Sequence, residues 1–419
     1  MKENKRRWAI ITAALLLVGL GWLATTDHPS IWPARNVLLY RGLRWWWGLA
    51  GEPAVAGRGT LTGQVLDPQG RPIAGAWLAV SEWNAALHAG RTDAQGQVTL
   101  TGIPAGVYRA VSAAPGYESA VSGRVAIRRQ QTSTVTITLP PAVRRTVAPS
   151  HNLILGEPTR LTCDQPIAST AVRRTVQFDN AGRPNQTTLY YLPDLPESQL
   201  PLLLTIYPGP AELWECASLP LAEAGYAVLA IGPAYTFNLE ADVDELERLV
   251  MFARQGRFPG GSGRCIAVLG GSYSGLHVLR LLERDPAFRA ALLLGPPSDL
   301  FDLRHRLEMG TYHPPYGLDQ ALIALGLPHR EPLRYWQYSG AYHVRPDFPP
   351  LALLHSRSDE VVPYRQSEFL AERLVEAGVV VETHFFDQAS HYLMDQQGNA
   401  PEVYQLALDF LGRTMGGCE

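Results

Sequence analysis

The sequence predicts an α/β architecture, a mainly parallel sheet with helices on both faces, preceded by a small all-β sandwich and an N-terminal transmembrane helix. Three observations carry this. Toward the C-terminus, continuous apolar runs at 202–207, 227–231, 265–269, 290–294, 351–354 and 379–385 alternate with helical patterns at 214–224, 239–255, 274–283, 366–377 and 402–411. Between 60 and 139 short alternating runs are broken by Gly, Pro and Asp turns. At the start, an uncharged stretch at 8–26 follows a basic cluster.

Apolar strands that do not alternate must be covered on both faces, which is why helices between them imply a parallel sheet. In such sheets reactive groups collect at the carboxyl ends of the strands. A chain of 419 residues has room for two folded units with appendages. A formal net charge of −3 gives no electrostatic basis for binding nucleic acid, which needs clustered Lys and Arg. Cys163, Cys216, Cys265 and Cys418 are widely spaced and form no C-x-x-C pair, so neither zinc nor redox chemistry is expected, while one or two disulfides stay open.

Lys2, Lys5, Arg6 and Arg7 make residues 1–7 a cytoplasmic basic segment, and 8–26 is long enough to cross a hydrocarbon core. No small-x-small cleavage site follows, so the expectation is an uncleaved anchor that holds the rest outside the cytoplasm; the alternative is secretion after signal cleavage. Residues 27–59 read as a juxtamembrane segment. Within it Leu39, Leu43, Trp46 and Trp47 fall on one side of a helix and Arg41 and Arg44 on another, which suits either the membrane surface or packing on the globular part.

The segment 60–139 carries Gly63-Gln64-Val65, then Gly70-Arg71-Pro72-Ile73-Ala74-Gly75-Ala76, then Thr92-Asp93-Ala94-Gln95-Gly96, Pro104-Ala105-Gly106-Val107-Tyr108 and Pro115-Gly116-Tyr117. In this order the pieces resemble the carboxypeptidase regulatory-like, or transthyretin-like, domain. That resemblance implies a sandwich that spaces or binds and does not catalyse. The turn from Asp93 to Gly96 permits a hairpin, with Val98 and Leu100 entering the core. A Pro-rich and polar linker at 140–170 follows, and 175–191 reads as a hairpin around Asn180-Ala181-Gly182 that opens the larger domain, 171–419.

The candidate chemistry begins at Gly270-Gly271-Ser272-Tyr273-Ser274-Gly275, where a buried strand turns into a helix. This is the setting of a nucleophile elbow, whose sharp turn needs small residues two before and two after the serine. Gly270 and Ser274 satisfy that for Ser272; were Ser274 the nucleophile, Leu276 would crowd the turn. A serine hydroxyl needs a base to take its proton and an acid to hold that base. Asp359 and His391 follow successive strands, and the order Ser, Asp, His is that of an α/β-hydrolase. Asp299, Asp302 and Asp387 are weaker acids for the role, and His355 reads as part of a strand end. The Tyr273 amide supplies one oxyanion donor. For the second, the loop Tyr207-Pro208-Gly209-Pro210-Ala211 has two prolines without N–H groups, leaving the Tyr207 phenol, with the Gly209 amide as alternative.

Tyr207 to Pro210 and Gly270 to Gly275, with the Ser-Asp-Glu-Val-Val-Pro stretch at Asp359 and the His391 loop, resemble the prolyl oligopeptidase family, especially its dipeptidyl peptidase branch. The resemblance implies a serine hydrolase with an oxyanion tyrosine at Tyr207. Three departures stand out: Ser356 follows His355 where glycine is usual, Ser274 replaces glycine, and no stretch is long enough for the β-propeller of many relatives. The insertion 298–345, rich in aromatics, suits a lid or acyl-pocket wall, and its histidines lack metal-ligand spacing. The expectation is a small-molecule ester or peptide substrate, no cofactor and no metal. The rival is a non-catalytic binding protein that keeps the fold.

Overall fold

The computed structural model describes residues 21–23, 25–26, 28–51, 57–143, 147, 152–183, 187–194, 199–232, 236–393 and 400–416. The expected span at 8–26 and the basic segment before it lie almost wholly outside these. Among the described residues no helix is long and apolar enough to cross a membrane. The chain divides into two compact units, Met1–Pro141 with Phe301–Tyr335, and Ala142–Leu300 with Trp336–Glu419.

The first unit begins with α1 (Trp32–Ala50) and continues through β1 (Arg58–Leu66), β2 (Trp77–Ser81), β3 (Leu87–Arg91), β4 (Gln97–Pro104), β5 (Gly106–Ala113), β6 (Ala120–Ile127) and β7 (Thr132–Thr138). These strands form two sheets, ordered β4-β1-β7 and β3-β2-β5-β6. Along β1 every second residue is buried, so Leu61 and Val65 enter a core shared with Leu78, Val80, Leu100 and Ile103. Each such side chain taken fully out of water contributes about 2 kcal/mol. The Asp93 carboxylate accepts from the Gln95 and Gln97 amides, both at 2.9 Å, which makes the tight turn that the sequence predicts. That turn does not close a hairpin, however. β3 pairs with β2 and β4 with β1, so it carries the chain from one sheet to the other.

The second unit holds β8 (Leu153–Leu155), β9 (Thr159–Cys163), β10 (Ser169–Phe178), β11 (Thr188–Leu192) and β12 (Leu200–Ile206), then α2 (Glu215–Glu223), β13 (Ala227–Ile231), α3 (Leu239–Arg254), β14 (Gly261–Gly271), α4 (Ser274–Arg284) and β15 (Ala290–Leu294). The helices α5 (Leu300–Glu308), α6 (Leu318–Ala324) and α7 (Pro332–Gln337) intervene before β16 (Leu351–Ser356), α8 (Arg365–Glu376), β17 (Val381–Phe386) and α9 (Ala400–Met415). One sheet runs β17-β16-β15-β14-β12-β13-β11-β10-β8, with β9 also on β10. From β12 to β17 all pairings are parallel, and β11 and β10 add antiparallel strands at one side. The expected hairpin around Ala181 is present, but the sheet starts earlier than the sequence predicts, because β8 and β9 fall within the supposed linker. A disulfide from Cys163 on β9 to Cys216 on α2 ties that edge to a covering helix, and Cys265 is also disulfide-bonded.

Residues 301–335 join the first unit. Their hub is Arg304, fully buried, whose guanidinium meets Glu308 at 2.7 Å and donates to the Leu322 carbonyl at 2.9 Å and the Tyr335 hydroxyl at 3.1 Å. A buried guanidinium left without such partners is costly, so this cluster fixes the segment's conformation. α1 docks here too. Asn36 donates to the Ala324 carbonyl at 2.8 Å, Tyr40 donates to Glu308 at 3.0 Å, and Arg334 lies 4.1 Å over the Trp32 ring. The face read from the sequence is thereby split. Leu43 and Trp47 are half-buried, with Trp47 edge-on to Trp83 at 5.0 Å, while Leu38, Leu39, Trp45, Trp46 and Leu49 stay exposed.

Candidate active site

The nucleophile position is built by the turn between β14 and α4. Ser272 has φ 54°, a left-handed conformation that non-glycine residues adopt only at a cost of about 1–2 kcal/mol. Its amide donates to the Leu294 carbonyl at 2.7 Å and its carbonyl accepts from Gly275 at 2.9 Å, so hydrogen bonds on both sides hold the strained turn. Gly270 is required by the close approach of α4, since a Cβ there would lie 2.5 Å from Cγ2 of Val278. Ser274, two residues after Ser272, is fully buried, and among the described residues its hydroxyl has no hydrogen-bond partner. Tyr273 caps α4, which places the positive end of the helix dipole beside the nucleophile.

Three strand ends bring the predicted residues together. Ser272 Oγ lies 2.8 Å from Nε2 of His391, and Nδ1 of His391 lies 2.7 Å from Oδ2 of Asp359. Because Nδ1 faces a carboxylate it carries the proton, which leaves Nε2 to accept from the serine hydroxyl. The carboxylate is completely enclosed. Its Oδ1 accepts from the Val361 and Val362 amides, both at 2.8 Å. Burial alone would raise its pKa, yet hydrogen bonds from His355, His391 and the Val362 amide outweigh burial and hold the carboxyl well below the usual range.

Two residues in this arrangement were not assigned to the site by sequence reasoning. His355, fully buried, sits with Nε2 3.1 Å from Oδ2 of Asp359 and 2.8 Å from the Val362 carbonyl, while Nδ1 meets Ser367 Oγ at 2.7 Å. Nε2 faces two acceptors and must be the protonated nitrogen, so His355 donates to the same Asp359 oxygen that accepts from His391. Its position four residues before Asp359, at the end of β16, was the available signal. Ser356, at the place where relatives carry glycine, donates to the Ala389 carbonyl and so hooks the loop that bears His391. There the departure from the family pattern was itself the signal.

The oxyanion side is arranged differently. Tyr207 is buried, its ring stacked on Trp214 at 5.3 Å and 2°, and its hydroxyl shares a 3.0 Å hydrogen bond with Ser218. No hydrogen bond joins it to Ser272. Burial raises the phenol's pKa, and the Ser218 bond only partly offsets that. The alternative donor, the Gly209 amide, bonds the Tyr207 carbonyl at 2.9 Å. The Gly209 amide must leave its present acceptor to serve an oxyanion, and the phenol must turn from Ser218 wherever it is the donor in that pair. The loop is pressed against the end of β13, where a Cβ at Gly232 would lie 1.4 Å from the Gly209 carbonyl oxygen. Asp299 is occupied elsewhere, accepting from the Tyr342 hydroxyl at 2.8 Å, and Asp387 pairs with Arg357 at 3.1 Å.

Among the described residues no group of His, Cys, Asp and Glu is placed to hold a metal ion. No match was found among curated proteins. Several solved structures resemble part of the chain. They include a truncated carbohydrate esterase from gut microbiota (17% identity, TM-score 0.48, covering 57% of this chain and 94% of that one). Another is an acetyl ester-xyloside bifunctional hydrolase from Caldicellulosiruptor lactoaceticus (19%, 0.45, 62% and 97%). A third is an esterase from Thermogutta terrifontis (18%, 0.44, 57% and 94%). Residues 60–140 match the model of the carboxypeptidase regulatory-like domain, and residues 257–418 match that of the prolyl oligopeptidase family. The chain thus carries a stretch that matches a carboxypeptidase regulatory-like domain and another, with an α/β-hydrolase fold, that matches the prolyl oligopeptidase family over residues 257–418, and it is a serine hydrolase of ester or peptide bonds.

Proposed function

We propose that this hydrolase works through an acyl-enzyme on Ser272 and is held at a membrane with its catalytic domain outside the cytoplasm. The observation that carries the chemistry is the unbroken line from Ser272 Oγ to His391 (2.8 Å) and from His391 to the Asp359 carboxylate (2.7 Å). His391 Nε2 takes the serine proton as Oγ bonds to the acyl carbon. Asp359 orients His391 and stabilises the imidazolium. The Tyr273 amide and the Tyr207 hydroxyl, released from Ser218, receive the oxyanion. The intermediate collapses, the bond to the leaving group breaks, and His391 returns its proton to the departing oxygen or nitrogen. A water deprotonated by His391 then frees the acid and Ser272.

A fluorophosphonate tests this directly. The full chain should be labelled and Ser272→Ala should not; a folded but unlabelled wild type would sink the reading. Parallel assays with p-nitrophenyl esters and aminoacyl amides separate esterase from peptidase.

The location rests on the basic residues before 8–26, on the exposed Leu38, Leu39, Trp45, Trp46 and Leu49 of α1, and on disulfides, which persist in oxidising compartments. Carbonate extraction should leave the full chain with the membrane, and protease added outside sealed cells should reach the catalytic domain. Release by carbonate would refute the anchor.

A further inference from the structure

His391 must hand its proton to the leaving group, so the leaving group departs on the side of the nucleophile where this histidine stands. That side is aromatic. The Tyr392 ring lies 5.7 Å from the imidazole of His391 at 65° and is 48% exposed. Next to it, at 6.3 Å and 37°, is Trp214, which is held in place by its stack on Tyr207. In the same turn as Trp214, Leu213 is 78% exposed. The adjacent, partly buried carboxylate of Glu215 is already paired with Arg173 at 2.8 Å.

Large apolar side chains kept partly in water beside the histidine that protonates the leaving group have a ready use in covering an apolar part of it. A flat ring inserted between two others needs about 7 Å between their centres, two contacts of about 3.5 Å. Tyr392 and Trp214 are closer than that and tilted, so they form a wall and not a slot. We infer that this wall of Tyr392 and Trp214 is the leaving-group subsite, and that it takes an alcohol or amine carrying a flat apolar ring in preference to a small alkyl one. The inference rests on the acyl-enzyme reading above. In the acylation step the ring-bearing alkoxide or amine leaves along the wall, receives its proton from His391 Nε2, and the acyl group stays on Ser272 Oγ.

The test compares benzyl acetate with methyl acetate on the purified full chain. The two alcohols have similar acidity and the acetyl-enzyme is common, so the ratio of kcat/KM reports leaving-group binding. The wild type should favour the benzyl ester roughly ten-fold or more, the scale of discrimination that an apolar subsite gives. Tyr392→Ser and Trp214→Ala should each shrink that ratio several-fold, whereas Val375→Ser, an exposed apolar residue on α8, should keep it. Should Trp214→Ala fail to fold, the half-exposed Tyr392→Ser decides alone. An unchanged ratio in Tyr392→Ser overturns the subsite. So does a ring preference that appears with methyl phenylacetate, on the acyl side, and not with benzyl acetate. Failure of fluorophosphonate labelling would instead remove the acyl-enzyme reading itself.

Discussion

The two ends of the active site are built on opposite plans. At the acid end Asp359 accepts from two backbone amides, from His391 and from His355, and His355 is in turn fixed by Ser367. At the oxyanion end the Tyr207 hydroxyl and the Gly209 amide are both bonded to other groups. The difference follows from what each end must do. The carboxylate carries its charge throughout the cycle, so donors fixed in advance stabilise it at every step. The oxyanion exists only in the transition state and the tetrahedral intermediate, so a donor that reaches it only there favours the transition state over the bound substrate, less the cost of leaving its resting partner.

The sharpest break in this comparison is Asp359→Asn. It leaves the carboxyl site sterically filled but removes the charge and favours the wrong tautomer of His391, so kcat should fall by about 10⁴-fold. A loss below ten-fold, measured with an activated ester, would mean that the acid end is scaffold only. Next in size is Tyr207→Phe. If the phenol leaves Ser218 and donates in the transition state, kcat falls by about 10²–10³-fold with KM little changed. A fall below ten-fold would show that the Ser218 bond persists through the reaction and that the second donor lies elsewhere in the loop.

His355→Leu should cost less. It removes one hydrogen bond to a charged acceptor, about 1.5–3 kcal/mol of fold stability at neutral pH, while kcat, which feels only the looser aim of Asp359 at His391, should fall by less than in Tyr207→Phe. His355→Gln, which can offer an N–H near the place of Nε2, should recover most of it. A purely structural role would lower stability alike at every pH, whereas lost support for Asp359 lowers it above the folded pKa and not below it. The folded pKa of Asp359 lies below its unfolded value of about 3.9, so its bonds stabilise the fold above that pH and are lost as pH falls through the folded value. Losing the His355 donor raises the folded pKa, and the acid-unfolding midpoint of His355→Leu should move up in pH. An unmoved midpoint would remove His355 from the support of Asp359.

What the sequence made legible follows the same division. The sheet, its strand order of chemistry, and the grouping of Ser272, Asp359 and His391 could be read because apolar runs and elbow geometry are local patterns with strong steric causes. The pairing partner of β4 could not be read, because the Asp93 turn has the same local chemistry whether it closes a hairpin or crosses between sheets. β8 and β9 were hidden in a polar segment whose pairing to β10 is a tertiary matter. The aromatics of the insertion 298–345 suit a lid or acyl-pocket wall, but within it residues 301–335 belong to the other unit, tied there by Asn36 to Ala324 and Tyr40 to Glu308. His355 was seen as a strand residue, since no local pattern tells which way a buried imidazole donates.

The smallest effect tests whether polar pairing itself separates the two ends. Around Asp359 none of the side-chain polar atoms of His355, Ser367 or His391 is left buried and unpaired, whereas beneath the nucleophile Ser274 Oγ is buried without a partner among the described residues. An unpaired buried hydroxyl destabilises a fold by about 1–3 kcal/mol. Ser274→Ala keeps the Cβ, fits the first turn of α4 and removes the hydroxyl, so the variant should be more stable than the wild type by about 1 kcal/mol in urea. Ser274→Gly, the residue usual in relatives, should gain less, because glycine in a helix costs up to about 1 kcal/mol relative to alanine. Destabilisation by Ser274→Ala would mean that the hydroxyl is bonded in solution, and the turn beneath the nucleophile would then be as fully paired as the acid end.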